Sequence, residues 1–155
     1  MSRPVDSTDA RDAAREQLQL AMRLHAEDRI DDALAAARRA IEIDPSFADA
    51  HSYLGSTLVT RKRSYRAGLA SLERARDLQP DDVDIRYTLA WSYEYVAHEQ
   101  SGAGRRAAGV PSPDELRERA IEEYRACLAL DPEPGLRDDI EKLLERLEIE
   151  LEGRA

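Results

Sequence analysis

A set of residues recurs at fixed distances from three prolines. Ala33, Ala37, Ala40 and Ile43 precede Pro45 by 12, 8, 5 and 2 positions. Gly68, Leu72, Ala75 and Leu78 keep the same offsets from Pro80, and Ala120, Tyr124, Cys127 and Leu130 keep them from Pro132. Upstream, the pairs Leu20-Ala21, Leu54-Gly55 and Leu89-Ala90 recur 34 and then 35 residues apart. No other feature limits the fold so tightly, because each offset has a physical job. A small residue in the upstream pair lets one helix approach the next closely. The small residue 12 before the proline makes the reciprocal contact. The proline cannot continue a helix and opens the following one. One such hairpin cannot bury its apolar face, so about three must stack.

The pattern resembles the tetratricopeptide repeat, over roughly residues 14–132. That resemblance implies an all-α fold, a right-handed superhelix of antiparallel helix pairs with the first helix of each pair on the concave face. It also implies that the concave face binds peptides or protein segments. Three repeats are expected at about 14–47, 48–82 and 83–132. The helix pairs run from about Ala13 to Glu27 and Ile30 to Ile43, Ala48 to Thr60 and Tyr65 to Leu78, and Val83 to His98 and Pro113 to Leu130. A seventh helix, from about Leu136 to Leu151, is apolar along Leu136, Ile140, Leu143, Leu144, Leu147 and Leu151 and acidic opposite, the expected solvating cap over 133–155. Residues 1–12 are expected to be a disordered arm.

Two departures stand out. The second repeat carries one extra residue, expected in its inter-helix turn. The third separates Leu89 from Ala120 by 31 residues where the first separates Leu20 from Ala33 by 13. Glycines and prolines in this insertion, near 99–112, predict a loop. Ser112-Pro113-Asp114-Glu115 reads as a helix start, with Ser capping and Glu reaching back.

Four of the eight aromatic residues lie in the stretch 82–100, as Tyr87, Trp91, Tyr93 and Tyr95. Leu89, Ala90 and Tyr93 form the stripe the repeat requires. Tyr87, Trp91 and Tyr95 form a second stripe. Transferred to the other repeats, this second stripe predicts a groove of Leu18, Met22, Tyr53, Tyr87, Trp91 and Tyr95. Aromatic anchors give contact area at little entropic cost. Trp91 and Tyr95 have two readings, groove anchors or a second core beneath the cap or the inserted loop; the loop is correspondingly a lid or a cover. The groove reading is favoured for Tyr87. The family's clamp for a C-terminal carboxylate would fall on Leu18, Met22, Tyr53, Asp84 and Thr88, none of which has the required donor, so the tails of the large heat-shock chaperones are disfavoured ligands.

The inter-helix turns place Arg61, Lys62, Arg63 and Arg66, with Arg105 and Arg106 of the insertion, on one edge. This is either a docking edge for an acidic or phosphate-bearing partner or the distribution that helix dipoles favour, with the dipole reading the stronger.

The net charge of -9 argues against nucleic acid as partner. The single cysteine, Cys127, allows no intramolecular disulfide. No segment is apolar enough for membrane insertion or a secretory signal, so a cytoplasmic location is expected. Arginine far outnumbers lysine, a bias suggestive of a GC-rich bacterial or archaeal coding sequence. His25, His51 and His98 have no metal-ligand spacing, no phosphate loop is present, and Cys127 occupies a core position; no catalytic residue, metal or cofactor is expected. The function expected is a non-enzymatic adaptor or scaffold for a protein or peptide partner. The alternatives are a dedicated chaperone for a secreted protein and a self-assembling scaffold, a homo-oligomer being possible.

Overall fold

A computed structural model describes residues 7–102 and 106–154. Seven helices follow one another: α1 (Ser7–Ala26), α2 (Ile30–Ile43), α3 (Ala48–Lys62), α4 (Tyr65–Leu78), α5 (Val83–Ser101), α6 (Pro113–Ala129) and α7 (Pro134–Glu152). Among the described residues there is no strand. The helices pair as hairpins α1–α2, α3–α4 and α5–α6, each stacked on the next through α2–α3 and α4–α5, and α7 closes the stack on α6.

The repeat offsets explain the packing. In the first hairpin Ala21 and Ala33 are fully buried, and in the third Ala90 and Ala120 are. The second uses glycine at both places. A Cβ on Gly55 would lie 2.6 Å from the Gly68 carbonyl oxygen and 2.6 Å from Leu72 Cγ, and one on Gly68 would lie 2.8 Å from the Gly55 carbonyl oxygen. The helices here touch backbone to backbone.

Two departures from the expected helix bounds bear on the repeats. Helix α1 starts at Ser7, so residues 7–12 are helical rather than a disordered arm; residues 1–6 lie outside the described residues. The extra residue of the second repeat extends α3 to Lys62 instead of lengthening the turn. The turn closes on Arg63 in the left-handed region, φ 55°, with the Ser64 N–H donating to the Leu58 carbonyl at 2.9 Å. Asp28 plays the same left-handed part, φ 60°, after α1. Helix α6 starts on the expected box: the Ser112 hydroxyl accepts from the Glu115 N–H at 3.2 Å and the Glu115 carboxylate accepts from the Ser112 N–H at 3.1 Å.

The core is unevenly distributed. The largest cluster joins α3 through α7 around Leu72, Leu89, Tyr93, Leu116, Tyr124 and Ile140. The first hairpin contributes mostly alanines, with Leu24 and Leu34 the large side chains, and meets Leu54 and Leu58 of α3.

Candidate functional site

The open face of α1, α3 and α5 holds the expected groove positions in differing degrees of burial. On α1, Leu18 is half-buried and Met22 is 58% exposed. On α3, Tyr53 is half-buried against the first hairpin's core. Its hydroxyl lies 2.9 Å from His25 Nδ1 and donates to the Ala21 carbonyl at 3.5 Å, and its ring stands edge-on to His25. Burial holds this phenol above its ordinary range. Tyr53 therefore ties α3 to α1 as well as lining the face between them. Ser52 and Ser56 give α3 a floor of small side chains, half-buried.

The second stripe of α5 divides. Tyr87 is partly buried on the main core, and its ring meets Tyr124 of α6 edge-on with centroids 5.9 Å apart. Tyr87, for which the groove reading was favoured, is thus turned partly inward: α6 supplies a tyrosine at the position where the earlier repeats have Ala37 and Leu72, and the two rings meet. Trp91 goes the other way. It is 41% exposed and stacks on Tyr95, centroids 5.3 Å apart and planes 26° from parallel. Tyr95 is half-buried, one side against the core.

The cap neither covers this pair nor leaves it isolated. A cleft of about 260 Å³ between α5 and α7 is lined by Trp91, Glu94, Tyr95, His98, Leu143 and Arg146. Its charged wall is fixed by a chain of hydrogen bonds. The buried Tyr124 hydroxyl donates to Glu94 Oε1 at 2.7 Å, and Arg146 donates to Glu94 Oε2 at 2.7 Å and to Glu150 at 3.3 Å. Burial, then the bond to Glu94, pushes the Tyr124 phenol far up. Leu143 was legible as part of the cap's apolar face. Glu94, His98 and Arg146 carried no sequence signal as neighbours, since 52 residues separate Glu94 from Arg146.

The described part of the insertion, 106–112, is neither lid nor cover. Val110 is buried in the main core, and Gly109 (φ 74°) lies over the Arg66 side chain, where a Cβ would come within 3.0 Å of Arg66 Cδ. These residues share a cleft with Leu69, Ala70 and Glu73 of α4 and Arg119 of α6. They sit on the second helices of their hairpins, away from Trp91. An apolar residue and a left-handed glycine give the loop one place to dock.

The basic edge is largely neutralised. Arg61 pairs with Asp28 and Lys62 with Asp31, and Arg63 pairs with Glu99 at 3.0 Å. The partners come from the flanking repeats' turns and helices, so the cations stitch neighbouring hairpins rather than forming a bare positive surface. Arg66 is held along Gly109, Arg106 is exposed, and Arg105 lies outside the described residues.

A second charged cluster was not anticipated. Glu123 of α6 is buried and accepts from Arg76 of α4 at 2.7 Å and from Arg86 of α5 at 2.8 Å. Its equivalents in the earlier repeats are Ala36 and Ser71, nine before each proline. A glutamate where the earlier repeats have small residues was the available signal. Both carboxylate oxygens are satisfied, so the cluster clamps three helices.

Cys127 is buried, donates to the Val83 carbonyl at 3.7 Å, and burial, reinforced by Glu123, pushes its thiol up to about 11, far from a reactive thiolate. Among the described residues no group of three or more His, Cys, Asp or Glu side chains is placed to hold a metal. Among them, too, no helix is long and apolar enough to cross a membrane.

Comparison with known proteins identifies the architecture. No family model matches the chain, and no curated protein is similar to it in sequence. Solved structures are similar in fold. The first tetratricopeptide domain of Spaghetti (RPAP3), solved bound to an HSP90 peptide, superposes with a TM-score of 0.66 at 12% identity, over 89% of this chain and 95% of that one. The N-terminal domain of stress-induced protein-1 (STI-1) from C. elegans gives 0.57 at 14% identity, over 86% of this chain and 96% of that one. MamA gives 0.50 at 20% identity, over 91% of this chain and 79% of that one.

Proposed function

We propose that this three-repeat tetratricopeptide solenoid is a non-enzymatic protein-interaction module. It takes a peptide or protein segment along the open face of α1, α3 and α5, with the α5–α7 cleft as the anchoring point. The observation that carries this reading is the Trp91–Tyr95 stack. A large aromatic pair is held rigid against the core, opens to solvent and faces Leu143 across a cleft. The repeat does not need Trp91 for its own packing. Rigid, half-desolvated aromatic residues are where truncation costs interfaces most. The Spaghetti domain's bound peptide is a precedent for the fold and not for the ligand. The clamp positions here are Leu18, Met22, Tyr53, Asp84 and Thr88, and they offer a carboxylate no cation.

The test is a segment selected on the full-length protein from a random peptide library and measured by fluorescence polarisation. Trp91→Ala is expected to weaken its binding about 30-fold or more, the range of an interface hot spot. The same change is expected to lower stability by only about 1 kcal/mol, the worth of one aromatic pair at a partly exposed site. A large loss of stability with unaltered binding would make Trp91 a core residue and remove the anchor.

A further inference from the structure

The α5–α7 cleft continues past its aromatic floor into a second, polar space. A recess of about 80 Å³ is lined by Glu94, His98, Arg117, Arg146, Leu147 and Glu150, and it shares Glu94, His98 and Arg146 with the cleft that holds Trp91 and Tyr95. Arg117 of α6 is buried and fixed in place: Nη1 donates to Asp114 Oδ1 at 3.1 Å and Nη2 to the Ser101 hydroxyl at 3.0 Å. Its Nε stands 3.7 Å from Glu150 Oε2, too far for a hydrogen bond. Arg146 reaches in from α7, and His98 is exposed at the mouth. The two carboxylates of the recess are not equivalent. Glu94 is largely covered, and each of its oxygens already accepts, one from Tyr124 and one from Arg146. Glu150 is half-buried and loosely held, 3.3 Å from Arg146 and 3.7 Å from Arg117. In number the two arginines are matched by Glu94 and Glu150. In geometry they are not, and a closely placed acceptor is what the recess lacks.

We infer that the recess takes a carboxylate side chain of the bound segment, an aspartate or glutamate, between His98, Arg117 and Arg146, while an apolar side chain of the same segment lies on Trp91 and Tyr95 against Leu143. Glu150 is then a built-in competitor. It holds the recess weakly in the free protein and gives way to the incoming carboxylate. The spacing follows from helix geometry. From the middle of the Trp91–Tyr95 stack to His98 is about five residues of α5, or roughly 7 Å along its axis. In an extended peptide, side chains two residues apart point the same way and lie roughly 7 Å from each other. The recognised pattern is an apolar residue and an acidic residue two apart, in either chain direction. The three donors lie away from the clamp positions Leu18, Met22, Tyr53, Asp84 and Thr88, and the group they meet is a side chain within the segment rather than a chain end. The inference rests on the α5–α7 cleft being the anchoring point, and the experiment separates the two.

A phage-displayed library of random 12-residue peptides is panned on the full-length protein, with Trp91→Ala as the counter-selection. Arg117 clamps α6 and Arg146 ties down α7, so the changes are made in the peptide and at Glu150. The expected result is enrichment of an aspartate or glutamate two residues from a leucine, phenylalanine or similar side chain. Converting that carboxylate to its amide in the synthetic peptide should weaken binding to the unaltered protein about tenfold, the worth of a charge-assisted hydrogen bond, read by fluorescence polarisation. Glu150→Gln should bind the acidic peptide about threefold more tightly, the worth of a partly exposed ion pair, and its amide form no more tightly than before. Peptides that need Trp91 yet tolerate the amide, or that bind Glu150→Gln no better, would overturn the recess inference and leave the groove reading standing. Peptides whose binding ignores Trp91 would overturn both.

Discussion

The second and third hairpins obey one set of offsets and fill it in opposite ways. Between α3 and α4 the crossing is made by Gly55 and Gly68, backbone on backbone, with Leu72 closing over them. Between α5 and α6 the crossing is Ala90 on Ala120, and Leu72 is replaced by the fully buried Tyr124. One hairpin is pulled tight by deleting side chains, and the other is held by a large ring, a buried hydroxyl and α7. The difference teaches where the surplus on α5 comes from. A tyrosine at position 124 holds Tyr87 against the edge of the core and fixes Glu94, and Glu94 in turn fixes Arg146. The stripe's remaining members, Trp91 and Tyr95, are left beside a cleft with walls already rigid. The exposed aromatic pair on α5 is a by-product of how the third hairpin packs.

The largest expected effect tests the ring. Tyr124→Ala should cost about 3–5 kcal/mol, as large aromatic truncations in a core do, read by urea unfolding. Tyr124→Phe, which keeps the ring and leaves Glu94 short of one donor, should cost about 1–3 kcal/mol. Equal losses in the two would mean the hydroxyl rather than the ring is what matters. Next comes the tight crossing. Gly55→Ala adds a methyl group where a backbone oxygen lies 2.6 Å away. Helix propensity would favour the change by about 1 kcal/mol. Overpacking should outweigh it and leave a net loss of about 1–2 kcal/mol. A neutral or stabilising outcome would show that the second hairpin can open as far as its neighbours and would erase the contrast.

The smallest effect concerns alkaline pH. The Cys127 thiol is held at about 11 against an ordinary value of 9. A group raised on folding contributes fully below its unfolded value and loses that contribution as pH climbs toward the folded one. The Cys127 contribution should thus be intact below about pH 9 and fall away between about 9 and 11, at up to about 1.4 kcal/mol per unit. Tyr124, raised above 10, adds its own loss only above pH 10. In Cys127→Ala, which installs the residue found at the same offset in Ala40 and Ala75, the fall in melting temperature between pH 9 and 10 should shrink by about 2–4 °C. An unchanged profile would mean that this thiol is solvated.

Much of the fold was legible because the repeat is a local code. Twelve positions from Ala120 to Pro132 specify a helix, its close contact and its stop, whatever surrounds them. The cap at Ser112 and the extent of α6 follow from neighbouring residues in the chain. The site was less legible because its determinants are far apart in sequence. Nothing near Tyr87 announces that Tyr124 will take it. Nothing near Arg61 and Lys62 announces Asp28 and Asp31, which arrive from the previous turn because stacking sets turn beside turn. The insertion's composition predicted a loop, and only the packing of Val110 and Gly109 against α4 shows on which side it lies. Glu123 is an intermediate case: its oddness against Ala36 and Ser71 was visible, its two arginines were not.

Those seven residues, 106–112, have a consequence for how the molecule can change. Added length in a chain usually competes with whatever surface it falls across. Here the extra segment leaves from the end of the very helix that carries Trp91 and is drawn to the outer wall, where Val110 moors it. The two sides of the solenoid are thereby uncoupled as targets of variation. A reporter sequence joined at this segment would travel as cargo on the outside and leave the inner face uncovered.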